Sequence, residues 1–183
     1  MKHLNTLRDK IYNYALYYGW HVEKYCNEHW LCLVISELMG AVQADINRKW
    51  ARRDIYENNV LSHFCYDDLI KRSYDEFIKG SMEDKLADAC IRLFDYAGLR
   101  EIDLDEFEYE EGAVLRFYGE SFTKSIYKIC GDIADITMID DPCHMLDAIF
   151  TLCRERKIDI MWHIEQKMKY NELRPYMHGD KAY

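Results

Sequence analysis

The sequence predicts an all-α protein, a helical bundle, on three observations. Only two prolines and eight glycines punctuate 183 residues, too few for the turns of a many-stranded sheet. Apolar residues recur every three or four positions over long stretches, the period of an amphipathic helix. No strand-turn-strand pattern with a matching turn dipeptide occurs along the chain. At 22.0 kDa, with 49% hydrophobic and 31% charged residues, residues 1–183 suffice for a single domain with a core of its own.

Each element follows from its own local pattern. Between Asn5 and Tyr18 the apolar positions Leu7, Ile11, Tyr14, Ala15 and Tyr18 share one face, with Asn5 or Thr6 as the expected N-cap and Gly19 as the stop. From about His29 to Trp50, Leu33, Val34, Leu38, Ala41, Val42 and Ile46 repeat at helical spacing, which predicts a long helix. Residues 54–66 are mixed and give no clear pattern. Tyr66 to Lys79 reads as a shorter helix ended by Gly80. Ser81-Met-Glu-Asp84 then forms a capping box, with Ser81 accepting from a backbone N–H and Asp84 reaching back. The helix it opens carries Leu86, Ala89, Cys90, Leu93, Phe94 and Ala97 and is expected to stop at Gly98. The alternating Glu106–Glu111 segment lies in an acidic stretch and reads as a loop or helix end. Three more helices are predicted: about Phe122 to Ile136, Pro142 to about Arg156 with proline in its first turn, and a last one capped by Asp159.

Charge and cysteine usage exclude several classes. A net charge of −9 argues against a nucleic-acid polymer as partner, because phosphate binding needs a basic face. The excess is local: residues 101–150 hold 13 acidic and 3 basic side chains, whereas residues 151–183 hold 5 and 7. No uncharged apolar run approaches the roughly 18 residues of a membrane span, and the first ten residues lack a secretory pattern, so the expected location is the cytoplasm with no membrane partner. Seven scattered cysteines without a C-x-x-C pair read as reduced thiols, with Cys90 and Cys153 in the core.

The chain also carries a faint internal repeat. Leu99-Arg-Glu-Ile-Asp-Leu104 and Glu155-Arg-Lys-Ile-Asp-Ile160 each follow an apolar helix and precede a capping Asp. Upstream, Glu37-Leu-Met-Gly40 is echoed in Asp132-Ile-Ala-Asp135, and Lys85-Leu-Ala-Asp88 in His144-Met-Leu-Asp147. A tandem of two half-bundles, with a degenerate second copy at about 105–171, would account for these echoes.

Acidic residues three apart on a helix project from one face, and two such pairs on neighbouring helices can surround a hard divalent cation with oxygens. Glu37 and Asp88 both interrupt otherwise apolar helix faces, an arrangement that is costly unless each carboxylate has a partner. In the second half, Asp132 with Asp135 and His144 with Asp147 form an alternative set, suited to Mn²⁺ or Zn²⁺ as well as Mg²⁺. In the last helix and its exit, Lys167, Tyr170, Asn171 and Arg174 combine cations, an amide and a ring, the chemistry that grips phosphates and holds a base. Trp20, Trp30, Trp50 and Trp162 are candidates for lining a base pocket or for packing.

Four blocks resemble the all-α nucleoside triphosphate pyrophosphohydrolases of the MazG-like group. They are Leu7-Arg-Asp-Lys-Ile11 through Gly19-Trp20; Val34-Ile-Ser-Glu-Leu38 through Ala44-Asp45; Asp84-Lys-Leu-Ala-Asp88 through Gly98 and Ile102-Asp-Leu104; and the tail Lys167-Met-Lys-Tyr-Asn-Glu-Leu-Arg-Pro-Tyr-Met-His-Gly179. The resemblance implies a four-helix core binding Mg²⁺, or Mn²⁺, through an E-x-x-E and an E-x-x-D pair, and hydrolysis of a nucleoside triphosphate to monophosphate and pyrophosphate. It implies Glu37 and Asp88 as metal ligands and the four tail residues as nucleotide contacts, and is compatible with a homo-oligomer. The pattern is broken where the second acid falls on Gly40 and the third on Lys85. Asp84, one turn before Asp88, is the best-placed substitute. Two readings follow: a pyrophosphohydrolase with a reduced or compensated metal cage, or a catalytically inactive relative that binds a nucleotide or a protein partner. In the second, Lys85 would neutralise Glu37 or Asp88 as a buried ion pair.

Overall fold

The computed structural model describes residues 3–62, 67–106, 116–135 and 141–176. Among these, eight α-helices and no strand are present: α1 (Leu4–Tyr17), α2 (Asn27–Ile46), α3 (Arg53–Ser62), α4 (Asp67–Phe77), α5 (Met82–Leu99), α6 (Phe122–Ala134), α7 (Pro142–Glu155) and α8 (Ile160–Glu172). The fold is all-α, a helical bundle. None of these helices is long and apolar enough to cross a membrane.

The central helix is α5, which packs against α1, α2, α7 and α8, while α6 bridges α2 and α7. Its composition explains the role. Leu86, Leu93, Phe94 and Tyr96 are fully buried, and Ala87, Ala89, Ala97 and Gly98 between them are small enough for neighbouring helices to approach. A Cβ on Gly98 would lie 2.6 Å from Tyr12 Cβ, so the glycine sets how closely α1 crosses α5. One apolar cluster runs through α1, α2, α5, α6, α7 and α8, with Cys90 and Cys153 inside it. A smaller one, Tyr56, Tyr74, Ile78 and Tyr170, holds the α3–α4 pair against α8.

Local signals place most helix ends. Ser81, Ser121, Asp141 and Asp159 each accept a backbone N–H from three residues on, and Pro142 stands in the first turn of α7. Two expectations need correction. Neither Asn5 nor Thr6 caps α1, which begins at Leu4 after His3; its first N–H donates instead to Asp105 Oδ1 at 2.7 Å, an acid 101 residues away, and the Asn5 amide bonds Asp103 and the Leu104 N–H. The capping box at Ser81 is only half formed. Ser81 Oγ accepts from the Asp84 N–H at 3.1 Å, but the Asp84 carboxylate turns away to Gly80, Tyr74 and Lys167. The unpatterned residues 54–66 contain most of α3, and α2 stops at Ile46 rather than Trp50. The acidic segment past Glu106 lies outside the described residues.

The repeated Leu99–Leu104 and Glu155–Ile160 segments share one geometry. Glu101 and Lys157 both take left-handed backbone angles, and the Ile102 and Ile158 N–H groups return to the Ala97 and Cys153 carbonyls at 2.9 and 2.8 Å. The same helix ending closes α1 at Gly19 and α2 at Arg48. The two segments thus share a C-cap geometry with the ends of α1 and α2.

Candidate functional site

The residues flagged on the α2 and α5 faces meet. A cavity of about 480 Å³ opens between α1, α2, α5 and α8, and Glu37, Asp84, Asp88, Lys167, Asn171 and Arg174 all line it. Its walls also carry Tyr14, Trp20, Lys79, Lys85, Arg92 and Asp95.

Each acid is engaged by a cation. Glu37 stands on α2 with 13% of its side chain exposed; Lys85 Nζ donates to one carboxylate oxygen at 2.8 Å, and Arg92 Nε and Nη2 both donate to the other at 3.0 Å. Burial works against its charge, yet Arg92 and Lys85 hold the carboxyl below the usual glutamate range. Lys85 and Arg92 are seven residues apart on α5 and so face α2 together. Gly40 is what admits Lys85: a Cβ there would lie 3.0 Å from Lys85 Cδ and 3.3 Å from Cε. Lys85 and Gly40 are thus in contact, one side chain occupying the space that the other lacks.

Lys167 serves the α5 acids. Its Nζ donates to Asp84 Oδ1 at 2.9 Å and to Asp88 Oδ2 at 2.8 Å, from a side chain 9% exposed. Burial opposes its charge, and Asp88 and Asp84 more than offset that, raising it above an ordinary lysine. Asp84 is the better satisfied carboxylate. Burial also opposes its charge, but Lys167, the Tyr74 hydroxyl at 2.6 Å and the Gly80 N–H at 2.6 Å hold it below the aspartate range. Asp88 goes the other way. Burial outweighs its bond to Lys167, and the nearby Asp84 and Glu37 charges add to it, so its pKa is pushed up to about 6. A fourth acid, Asp95, is also raised by burial and bonds His21 Nε2 at 2.8 Å.

The tail residues divide. Asn171 and Arg174 line the cavity, and the buried Asn171 Oδ1 has no hydrogen-bond partner among the described residues. The Asn171 carbonyl instead accepts from the Tyr14 hydroxyl at 2.7 Å. Tyr170 is not a wall of the cavity. Its ring, 2% exposed, stacks on Tyr74 at 4.4 Å, and its hydroxyl bonds Asp75 and Lys79, so it packs the bundle behind the site. Lys167 lines the cavity but spends its ammonium on Asp84 and Asp88 rather than leaving it for a phosphate.

No family model, curated protein or solved structure matches the chain.

The donor set does not fit Mg²⁺ or Mn²⁺. Three carboxylates, Glu37, Asp84 and Asp88, face three cations, Lys85, Arg92 and Lys167, at 2.8–3.0 Å. A dication would have to displace ammonium or guanidinium groups and sit beside them. The alternative second-half set is not assembled either. Asp132 bonds Arg116, Asp135 closes the C-terminus of α6, and His144 and Asp147 lie on α7; among the described residues no three His, Cys, Asp or Glu side chains converge as metal ligands.

Sequence reasoning missed Arg92 and His21. Arg92 was detectable, since a carboxylate on an apolar face demands a cation and Arg92 repeats the Lys85 position two turns on. The pairing of His21 with Asp95 joins segments 74 residues apart and had no local signal.

Proposed function

We propose that the protein is a catalytically inactive relative of the MazG-like pyrophosphohydrolases that binds a nucleotide without a divalent metal. The observation that carries this reading is the Lys85 side chain, seated in the gap at Gly40 and paired with Glu37, which supplies by an ion pair the charge compensation a metal would supply. The cavity keeps what a nucleotide needs. Arg174 and the outer edge of Lys85 offer phosphate donors, and Trp20 and Tyr14 offer rings.

The test is calorimetric titration of ribo- and deoxyribonucleoside triphosphates in EDTA, beside pyrophosphate release with Mg²⁺ or Mn²⁺. Binding in EDTA without turnover is expected, with Arg174→Ala weakening affinity about tenfold or more. Affinity that appears only with metal would overturn the reading. A restored cage sharpens the comparison: Gly40→Glu with Lys85→Glu is expected to bind Mn²⁺ more tightly than the natural protein does.

A second reading, a working nucleoside triphosphate pyrophosphohydrolase, is favoured by Asp88. A carboxyl with pKa about 6 inside a cavity is poised to accept a proton near neutral pH. On that reading the rate rises with pH through about 6 as Asp88 ionises, and Asp88→Asn abolishes it. Absence of any turnover in the same assay removes this reading and leaves the first.

A further inference from the structure

A second cavity, of about 450 Å³, opens where α2 and α7 end and α5, α6 and α8 begin, and it shares no wall residue with the first. We propose that it binds a free α-amino acid with an apolar side chain, held at its ammonium by Asp45 and at its carboxylate by Lys157 and His163. The volume suits a small molecule, and the buried Met82 and Phe122 with the half-buried Ile158 give the cavity an apolar lining. Its charged groups divide into those already spent and those left over. Arg53 bonds Glu57 and Asp159 at 2.9 and 3.0 Å and lies over the Trp162 ring, while Asp159 also caps α8. Glu83 Oε2 accepts the Ala51 N–H at 2.8 Å and fixes the approach to α3. Asp45, half-buried in the last turn of α2, has a long bond of 3.5 Å from the Trp50 indole N–H, which stands that ring beside the carboxylate. Lys157, exposed in the turn between α7 and α8, has no ion pair or hydrogen bond at its ammonium among the described residues. One unspent group of each sign thus remains.

His163 supplies the observation that points to a ligand. It is 5% exposed, it lines the cavity, and its buried Nδ1 has no hydrogen-bond partner among the described residues. Burial and the Arg53 charge push its pKa down to about 4, so at neutral pH the imidazole is uncharged and carries one N–H. A buried ring nitrogen without a partner is costly, and a carboxylate oxygen that accepts from Nδ1 removes the cost. Charge selects the class of ligand. Asp45, Glu83 and Asp159 stand against Arg53, Arg156 and Lys157, so the walls balance. A simple anion would meet Asp45 and a simple cation would meet Lys157, whereas a molecule with one charge of each sign satisfies both. An ammonium on Asp45 also lies near the Trp50 indole, whose face attracts cations. The site stands whether or not the first cavity takes a nucleotide.

Calorimetric titration of the whole chain with L-methionine, L-leucine and L-phenylalanine tests it. At least one of the three is expected to saturate with a Kd below about 1 mM. The N-acetyl and amide derivatives of that amino acid, which lack the ammonium and the carboxylate in turn, should bind about tenfold more weakly or worse. Asp45→Asn and Lys157→Gln, at half-buried and exposed positions, should each weaken binding about tenfold with helical circular dichroism unchanged. Binding should also move the ¹⁵N resonances of the His163 ring, a readout that needs no substitution inside the bundle. No saturation by any of the three up to about 10 mM overturns the proposal, as does saturation by acetate or tetramethylammonium in their place. Binding that both substitutions leave intact, or a His163 ring that the bound amino acid leaves unmoved, overturns it equally.

Discussion

At Gly40 and Lys85 a backbone gap and a long side chain act as a unit, and the acids around them are satisfied unequally. Asp84 accepts from Lys167, Tyr74 and Gly80 and is held ionised, whereas burial makes ionisation of Asp88 unfavourable. The two therefore differ in what their removal costs. Asp84→Asn weakens three buried hydrogen bonds and leaves Lys167 with one partner, an expected loss of about 3 kcal/mol, while Asp88→Asn should cost under about 1 kcal/mol because it also removes an unfavourable charge. Urea unfolding of the two variants at neutral pH compares them. Glu37 and Asp88 were legible as unusual because each interrupts an apolar helix face. Lys85 was expected to neutralise one of them and pairs with Glu37, whereas Lys167 as the partner of Asp88 was not legible, since it lies 79 residues away.

Helices were legible wherever their signals were local. Ser81, Asp159 and Pro142 mark starts through bonds and dihedrals that involve neighbours only, and Gly19 and Gly80 mark ends in the same way. The start of α1 was misread because its cap, Asp105, is supplied by a distant loop. The residues of α3 have little apolar periodicity, and its Tyr56 is buried by packing on Tyr74 and Trp162 rather than by a stripe of its own. The crossing of α1 over α5 depends on Gly98, where Gly98→Ala would drive a methyl into Tyr12. We expect a loss of about 1–3 kcal/mol despite alanine's better helix propensity, seen as a lower midpoint in thermal unfolding.

Across the whole molecule the apolar contacts are unevenly shared. The main cluster ties α5 to most of the bundle, while α3 and α4 are held by four buried residues, three of them tyrosines with hydroxyls to satisfy. Local opening should therefore begin at the α3–α4 pair. Hydrogen exchange followed by mass spectrometry is expected to show α3 and α4 amides exchanging at least tenfold faster than those of α5, and equal protection would contradict this ordering. Because α4 positions Tyr74, and Lys79 lies just beyond it, that opening also loosens one wall of the cavity.

By itself the sequence determined the helical class, most helix boundaries, the burial of Cys90 and Cys153, and the anomaly at Glu37 and Asp88, because periodicity, caps and the cost of a lone buried charge act over a few residues. Tertiary structure alone decided that Lys85 fills the space at Gly40, that Lys167 is spent on two carboxylates, that Tyr170 packs behind the cavity and that Asn171 faces into it. Those outcomes depend on which helices meet and at what distance. Close approach between residues far apart in the chain is set by packing, which no local pattern encodes.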